Sequence, residues 1–210
     1  MRALVLVDIQ NDFLPGGALP VPDGDAIIEV VNDLQLRFDL VVATQDWHPH
    51  DHGSFAANHP GRRAGDVIDL NGLRQVLWPA HCVQGTRGAA FVGLLHTGRI
   101  DRVFQKGADP AIDSYSGFFD NGHRRSTGLA DYLKAEGVTD VYTAGLATDY
   151  CVKFTALDAR KLGFNTHVIE DACRGVNLRP TDSREALEEL RRTGVEVLQS
   201  HQVAPEHAYA

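Results

Sequence analysis

The chain has 210 residues, a length that suits one domain with a substantial core. Its hydrophobic content of 43% and charged content of 23% are ordinary for a globular protein and exclude extensive disorder. The formal net charge of −8 argues against broad binding of nucleic-acid backbones, which requires a basic face. Three irregularly spaced cysteines, with no secretory leader and no apolar run of membrane-spanning length, predict a cytoplasmic protein with free thiols.

The first part of the chain predicts one β-α-β unit. A short apolar run from Ala3 to Val7 is typical of a strand buried on both faces, and a loop rich in Pro and Gly follows it at 8–17. Apolar residues then recur at helical spacing from about 25 to 37, with Asp23 as the predicted N-terminal cap. Residues 40–44 predict a second buried strand.

The rest of the chain predicts further alternation of strands and helices. Residues 46 to about 90 are rich in Gly, His, Pro and Trp, and so long an irregular segment is usually functional. The later predicted strands are at 101–105, 138–144, 165–169 and 195–198. The later predicted helices are one that ends at Gly137, one that runs from Cys151 to Gly163, and one that begins with a capping box at Asp182 and Glu185. The last dozen residues are predicted to be a tail.

This alternation predicts a single α/β domain over 1–210, with a mainly parallel sheet of five or six strands and right-handed crossovers. Ligands in such folds bind beyond the carboxyl ends of the strands. Four chemically capable residues come directly after strand patterns: Asp8, Asp46, Lys106 and Cys151. The sequence therefore predicts that they share one site.

Cys151 is the predicted nucleophile of that site. It stands in the first turn of a predicted helix, where unpaired N–H groups and the helix dipole favour the thiolate. Asp8 is the predicted base, and Lys106 is predicted to hold both electrostatically. Taken singly, each residue has a simpler interpretation: a buried hydrophobe for Cys151, a loop cap for Asp8 and a surface charge for Lys106.

A second group of residues suggests a metal site. Asp46 and His48 are two residues apart and can face the same side of an extended segment, and His81 is a candidate third ligand. Nitrogen and carboxylate ligands with open positions suit zinc, Fe(II) or manganese. His50 and His59 are predicted to stay outside this site as solvated loop residues. Cys82, beside His81, is a further candidate ligand, but a buried, inert thiol is the preferred interpretation.

Six motifs occur in order at 8–13, 45–49, 52–55, 78–82, 106–107 and 145–152, reading DIQNDF, QDWHP, HGSF, WPAHC, KG and GLATDYCV. Together they resemble those of the nicotinamidases, which belong to the isochorismatase-like cysteine hydrolase superfamily. The resemblance implies a three-layer α/β/α fold around a six-stranded, mainly parallel sheet. It also implies hydrolysis of nicotinamide to nicotinate and ammonia in NAD salvage, with pyrazinamide commonly accepted. Relatives of this kind occur as monomers and as oligomers, so a homo-oligomer is a possible state.

The resemblance also implies roles for particular residues. Asp8, Lys106 and Cys151 match the catalytic triad, which forms a thioester with the substrate. A cis peptide is expected between Leu146 and Ala147, and the backbone N–H groups of Ala147 and Cys151 are expected to form the oxyanion hole.

The same resemblance assigns the metal ligands and the pocket walls. Asp46, His48 and His81 match the ligands of one divalent ion, with zinc the first expectation and iron or manganese the alternatives. His52 matches a position that binds the ion in some members only. The residues that match or lie near the walls of the pocket are Phe13, Trp78, Tyr115 and Tyr150.

Three other functions remain open on the sequence. The enzyme could act on a different small amide, or it could be a metallohydrolase in which an ion-bound hydroxide attacks and Cys151 takes no part. The chain could also be a catalytically silent binding module, although an intact Asp8, Lys106 and Cys151 speaks against that function.

Overall fold

A computed structural model of the chain describes residues 1–204. The strands are β1 (Arg2–Val7), β2 (Leu40–Asp46), β3 (Val67–Leu70), β4 (Leu73–Val76), β5 (Arg102–Lys106), β6 (Asp140–Leu146), β7 (Asn165–Arg174) and β8 (Glu196–Leu198). The α-helices are α1 (Ile28–Gln35), α2 (Leu129–Ala135), α3 (Lys153–Lys161) and α4 (Asp182–Arg192). None of these helices has the length and apolar character that a membrane crossing needs.

Six strands form the central sheet in the order β5-β2-β1-β6-β7-β8. Every neighbouring pair in it is parallel. The chain first adds β2 and β5 on one side of β1, and then continues with β6 on the other side. The order therefore reverses between β1 and β6, which is where ligands bind in open parallel sheets. The predicted α/β fold with a parallel six-stranded sheet is confirmed.

The sheet lies between two apolar layers. Ala3, Val5 and Val7 of β1 face a core that contains α2, α3 and α4. Leu4 and Leu6 face the opposite core, which contains α1 and apolar side chains of the long irregular segment. Both faces of β1 are dry, which explains why its sequence is a continuous apolar run rather than an alternating one.

Two predicted helix caps are wrong. Asp23 adopts φ 53° and makes no capping hydrogen bond, and a short 3₁₀ turn at Gly24–Ile27 precedes α1. A capping residue normally has an extended backbone, and this left-handed conformation does not provide one. Asp182 is the first residue of α4 rather than its cap, and its carboxylate accepts the backbone N–H of Arg179.

The long irregular segment contains a hairpin that was not predicted. Strands β3 and β4 pair antiparallel across Asn71-Gly72, both of which have positive φ. Strand β7 is also longer than predicted, ending at Arg174. In the predicted tail, Ser200–Gln202 form a short 3₁₀ turn, and 205–210 lie outside the described residues.

Candidate active site

The carboxyl edge of the sheet brings the four predicted residues together. Asp8 follows β1, Asp46 and Lys106 end β2 and β5, and Cys151 follows β6. All four are buried, with relative exposures between 0% and 7%. Charged groups are rarely buried without partners, so each of them needs a compensating contact.

The ammonium of Lys106 supplies those contacts. Its Nζ lies 2.8 Å from Oδ2 of Asp8 and 2.5 Å from Oδ1 of Asp46. It also donates to the carbonyl oxygen of Ser114 at 2.8 Å and to Sγ of Cys151 at 3.4 Å. Lys106 therefore links the two carboxylates to the thiol, and we call Asp8, Lys106 and Cys151 the nucleophile cluster.

The charges of these groups follow from burial and from their neighbours. Burial alone would lower the pKa of Lys106, but Asp46 and Asp8 raise it well above its ordinary value. Burial also opposes ionisation of Asp46, but Lys106 and His48 outweigh it and hold the pKa of Asp46 well below its ordinary value. Burial raises the pKa of Asp8 despite the attraction of Lys106, and Asp46 adds to the increase. Asp8 is therefore the carboxylate that takes up a proton more readily.

The environment of Cys151 differs from the predicted one. It lies in a π-helical turn at Thr148–Val152 that leads into α3, so the predicted position at a helix start is close to the observed one. Burial raises the pKa of the thiol well above its ordinary value, Lys106 opposes this effect, and Asp8 reinforces it. The expectation of a resting thiolate does not hold here, because desolvation outweighs the helix start. The thiol must therefore lose its proton during the reaction.

Asp46, His48 and His81 place three potential ligand atoms within 4.8 Å of one another, and we call them the metal-ligand set. Nδ1 of His48 lies 2.8 Å from the carbonyl oxygen of Gly107, and Nδ1 of His81 lies 2.8 Å from that of Pro79. Because a carbonyl oxygen only accepts, each Nδ1 carries the hydrogen. Each Nε2 then keeps a lone pair for an ion.

The positions of these atoms suit a shared ion. Nε2 of His48 lies 3.5 Å and Nε2 of His81 lies 3.8 Å from Oδ2 of Asp46. Such separations fit ligands that are each about 2.0–2.2 Å from one metal centre. The other oxygen of Asp46 contacts Lys106, which fixes the carboxylate. The residues fit a divalent ion of the zinc, iron or manganese type.

His52 lies next to this set, and ligand-type atoms of His48, His52 and Asp113 also lie within 4.8 Å of one another. The ring centroid of His52 is 4.4 Å from that of His48. Burial and His48 lower the pKa of His52. Nδ1 lies 2.8 Å from the hydroxyl oxygen of Ser54 and accepts the backbone N–H of the same residue at 3.2 Å. The ring of His52 is therefore held in place next to His48, and His52 remains a candidate ligand.

A cleft lies over the nucleophile cluster, and the predicted aromatic residues line it. The lining includes Phe13, Trp78, Tyr115 and Tyr150, together with Cys151. Trp78 and Tyr150 meet edge to face at 4.9 Å, and Nε1 of Trp78 donates to the hydroxyl of Tyr115 at 3.2 Å. These contacts fix the orientation of the aromatic side chains, whose flat faces and edges suit a planar ring.

The end of β6 approaches β1 closely next to this cleft. Gly145 has φ 131°, and a Cβ at this position would overlap the backbone of Val7, so only glycine fits. The next peptide, between Leu146 and Ala147, is cis, as expected. Ala147 and Cys151 both line the cleft.

Three polar residues of the site were not identified from the sequence. The side chain of Gln10 accepts the backbone N–H of Asp46 and donates to its carbonyl oxygen, both at 2.8 Å. Gln75 donates to the hydroxyl of Tyr115 at 3.0 Å and to Oδ2 of Asp113 at 2.9 Å. Gln10 follows a predicted strand end, which was an available signal. Gln75 and Asp113 had no such signal in the sequence.

The remaining predictions for this region agree with the structure. His50 is exposed, and His59 is partly exposed and bonds a backbone carbonyl. Cys82 is fully buried, and burial raises the pKa of its thiol. Two apolar residues that were not predicted, Leu19 and Val176, complete the cleft lining.

Comparison with known proteins places this geometry in a family. The profile of the isochorismatase domain matches residues 2–202. The chain belongs to the isochorismatase domain family. Within that family it is 52% identical to the nicotinamidase of Escherichia coli (strain K12) over 197 residues, which is 92% of each chain.

Solved structures of isochorismatase-domain proteins have the same fold. A nicotinamidase and pyrazinamidase from Acinetobacter baumanii superposes with a TM-score of 0.93 at 49% identity, covering 95% of this chain and 96% of the other. The pyrazinamidase of Pyrococcus horikoshii, solved in complex with zinc, has a TM-score of 0.77 at 42% identity, covering 94% of this chain and 98% of the other.

Proposed function

We propose that this chain is a nicotinamidase, an amidase that hydrolyses nicotinamide to nicotinate and ammonia and also accepts pyrazinamide. The observation that carries the proposal is the meeting of the nucleophile cluster with the metal-ligand set at one aromatic cleft. The similarity to nicotinamidases, at up to 52% identity, supports the choice of substrate. Returning nicotinate for nucleotide synthesis places the reaction in NAD salvage.

The cleft binds the substrate as a flat ring. Trp78, Tyr115 and Tyr150 supply apolar faces and edges, and Phe13 closes the side next to the metal-ligand set, its ring 5.5 Å from that of His81. When bound, a divalent ion would supply a Lewis-acidic position for the ring nitrogen. The carboxamide is then directed to Cys151 in the same cleft.

The first half of the reaction releases ammonia. Asp8 takes the thiol proton while the sulfur of Cys151 bonds to the amide carbon. The backbone N–H groups of Ala147 and Cys151 stabilise the resulting oxyanion. Asp8 returns the proton to the amide nitrogen, the carbon–nitrogen bond breaks, and ammonia leaves a thioester on Cys151. Lys106 stabilises the negative charge as it moves between Asp8 and the sulfur.

The second half releases nicotinate. Asp8 removes a proton from a water molecule, and the oxygen of that water attacks the thioester carbon. The carbon–sulfur bond breaks, and the sulfur regains its proton from Asp8. The raised pKa of Asp8 suits both roles, because a base that also acts as an acid needs a pKa nearer to neutrality than that of an ordinary carboxylate.

We propose zinc as the ion, with iron or manganese as alternatives. The zinc complex of the Pyrococcus horikoshii pyrazinamidase supports this choice, as do the two imidazoles and one carboxylate of the metal-ligand set. Metal analysis of the purified protein tests it. We also propose a single hydrolase domain over 1–210 in the cytoplasm, which the family match over 2–202 and the three unpaired cysteines support.

The test of the mechanism is ammonia release from nicotinamide by the Cys151→Ala variant. Because the sulfur forms the covalent intermediate, we expect the rate to fall by roughly 10³-fold or more. The bound metal should remain, since Cys151 is not in the metal-ligand set. A metallohydrolase mechanism predicts instead that ammonia release survives.

Cys173→Ala is the matched control. This cysteine is also buried, but it belongs to β7, packs in the core and does not line the cleft. We expect the control to retain most of its activity. Full ammonia release by Cys151→Ala would contradict the assignment of the nucleophile.

A further inference from the structure

Asp149 is a buried carboxylate to which the proposed reaction assigns no role. It lies in the π-helical turn that carries Cys151, and it is 5% exposed. Its Oδ1 accepts the backbone N–H of Val176 at 2.9 Å, and its Oδ2 accepts that of Asn177 at 2.8 Å. Both oxygens therefore bind one short stretch of chain directly after β7, the 175–177 segment.

Strand pairing does not hold the 175–177 segment in place. The parallel pairing of β6 with β7 ends at Leu146 and Arg174, one residue before the segment begins. The carboxylate takes over from the strand, because N–H groups bind a charged acceptor more strongly than a neutral one. On the other side of the segment, Oδ1 of Asn177 accepts the backbone N–H of Ser183 in α4 at 2.9 Å. The segment is therefore held between the π-helical turn and α4.

The segment packs closely against both of these neighbours. A Cβ at Gly175 would lie 1.8 Å from Oγ of Ser183 and 3.1 Å from Oδ1 of Asp149, so only glycine fits there. Asn177 adopts φ 52°, a left-handed conformation at the point where the chain leaves the segment. The position of the segment is therefore closely defined, and Asp149 supplies two of the hydrogen bonds that define it.

The segment bears on the reaction because Val176 lines the cleft. Its side chain belongs to the same lining as Cys151 and Ala147, and the N–H of Ala147 is part of the proposed oxyanion hole. Asp149 thus joins the nucleophile to an apolar wall of the cleft: its main chain leads to Cys151, and its carboxylate holds Val176. Attack on a carbonyl needs the reacting atoms at roughly 3–3.5 Å, so a small shift of a wall against the sulfur lowers the rate.

We propose that Asp149 is a positioning residue that fixes the wall formed by Val176 relative to the sulfur of Cys151. It acts through Val176 and does not itself contact the substrate. The effect on catalysis rests on the proposed function. The hydrogen bonds that carry the inference are independent of any substrate, so they can be tested separately.

The first measurement is ammonia release from nicotinamide by the full-length Asp149→Asn variant. Asparagine has nearly the same shape, but its amide nitrogen cannot accept an N–H, so one of the two bonds is lost. Because misplacement by about 1 Å can cost about 10²-fold in rate, we expect kcat/KM to fall by roughly 10–100-fold. The rate is expressed per active site, counted by alkylation of Cys151, so that a loss of folded protein does not contribute.

Asp171→Asn is the matched control. The carboxylate of Asp171 also accepts a backbone N–H from another segment, that of Ser200 at 2.7 Å, together with the hydroxyl of the same residue, and it does not line the cleft. We expect this control to lose thermal stability and to keep its kcat/KM. If Asp149→Asn also lost only stability, with kcat/KM within about twofold of wild type, Asp149 would merely support the fold and the proposal would be overturned.

A double-mutant cycle tests whether Asp149 acts through Val176. Val176→Ala shortens the side chain of the wall and leaves its backbone N–H in place. If both residues act on one wall, Asp149→Asn should reduce kcat/KM by a smaller factor in the Val176→Ala background than in the wild type. Equal factors in the two backgrounds would count against the inference.

Hydrogen exchange at Val176 and Asn177 tests the contact without a substrate. Both backbone N–H groups bind Asp149, so they should exchange slowly in the wild type. Asp149→Asn should accelerate exchange at this segment by roughly tenfold or more, because a hydrogen bond to a charged group is lost, and Asp171→Asn should leave it unchanged. Unchanged exchange in Asp149→Asn would overturn the proposal. Absence of ammonia release by the wild type would instead overturn the proposed function, and the exchange rates would still decide the role of Asp149.

Discussion

At the scale of single residues, the metal-ligand set depends on a glycine that is not a ligand. Gly107 follows Lys106 and adopts φ 67°. A Cβ at this position would collide with the ring of His48, and the carbonyl of Gly107 accepts the hydrogen on Nδ1 of that ring. The Lys-Gly pair therefore serves two purposes: Lys106 links the carboxylates, and Gly107 orients a metal ligand.

We expect Gly107→Ala to lose metal as well as stability. The left-handed backbone costs an alanine about 1–2 kcal/mol of unfolding free energy. The added methyl group also displaces His48, so zinc content and ammonia release should both fall. Metal analysis of the purified variant and urea unfolding measure the two effects.

Gly128→Ala provides the comparison, since Gly128 has φ 86° and nothing within 4 Å of the position of a Cβ. It should show the same backbone cost and keep its zinc. If both variants retained zinc equally, the contact between Gly107 and His48 would have no role in holding the ligand.

At the scale of elements, side chains fix the ends of neighbouring strands beyond the point where backbone pairing between the strands stops. Gln10, in the loop after β1, bonds both backbone groups of Asp46 at the end of β2 and the carbonyl oxygen of Ala89. The backbone of a proposed metal ligand is thereby fixed by a residue of the loop that follows the neighbouring strand. Strand pairing alone does not do this, because the register between β1 and β2 ends at Leu6 and Ala43.

We expect Gln10→Glu to destabilise the fold and the metal site together. The carboxylate keeps an acceptor for the N–H of Asp46, but it cannot donate to the carbonyl oxygens of Asp46 and Ala89. Buried groups left without partners cost about 1–3 kcal/mol, measured as a loss of unfolding free energy in urea. Gln84→Ala, which removes one exposed bond to Trp47, should change stability by less than about 0.5 kcal/mol. Equal losses in the two variants would contradict the role of Gln10.

The elements also differ in how clearly their sequence patterns predict them. The buried strands were predicted because short apolar runs bounded by polar residues are distinctive. The β3–β4 hairpin was missed because its strands are only partly buried and carry little apolar periodicity. Asn71-Gly72 was nevertheless a strong local signal, since this pair readily adopts the positive φ values of a tight hairpin.

At the scale of the whole molecule, the proposed metal site connects distant parts of the chain. Asp46 and His48 come from the end of β2 and the residues after it, and His81 comes from the far side of the hairpin. An ion bound by all three would stabilise only the folded chain, because the unfolded chain does not hold them together.

We therefore expect metal removal to lower the melting temperature of the protein. Zinc at about 100 times its dissociation constant adds roughly 2.7 kcal/mol to stability. For a chain of this size, such a change corresponds to roughly 5–10 °C. Thermal unfolding with and without a chelator measures the difference, and zinc should restore both the melting temperature and the activity. A melting temperature that is insensitive to chelator would argue against a metal that bridges these segments.

The sequence by itself determined the alternation of strands and helices and the chemical residues at the strand ends. The strands and helices can be read locally, because the number of buried faces of an element determines the spacing of its apolar residues. The residues at the strand ends can then be grouped into one site, because parallel strands end at a common edge of the sheet. The resemblance of six short motifs then indicated the family and the metal site.

Only the tertiary structure decided the protonation and the hydrogen-bond partners of those residues. The protonation of Cys151 depends on burial and on Lys106 and Asp8, which arrive from other strands. The hydrogen on each imidazole follows from the carbonyls of Gly107 and Pro79. Asp113 had no sequence signal. Electrostatic and hydrogen-bond energies depend on distances between groups far apart in the chain, and those distances exist only once the chain has folded.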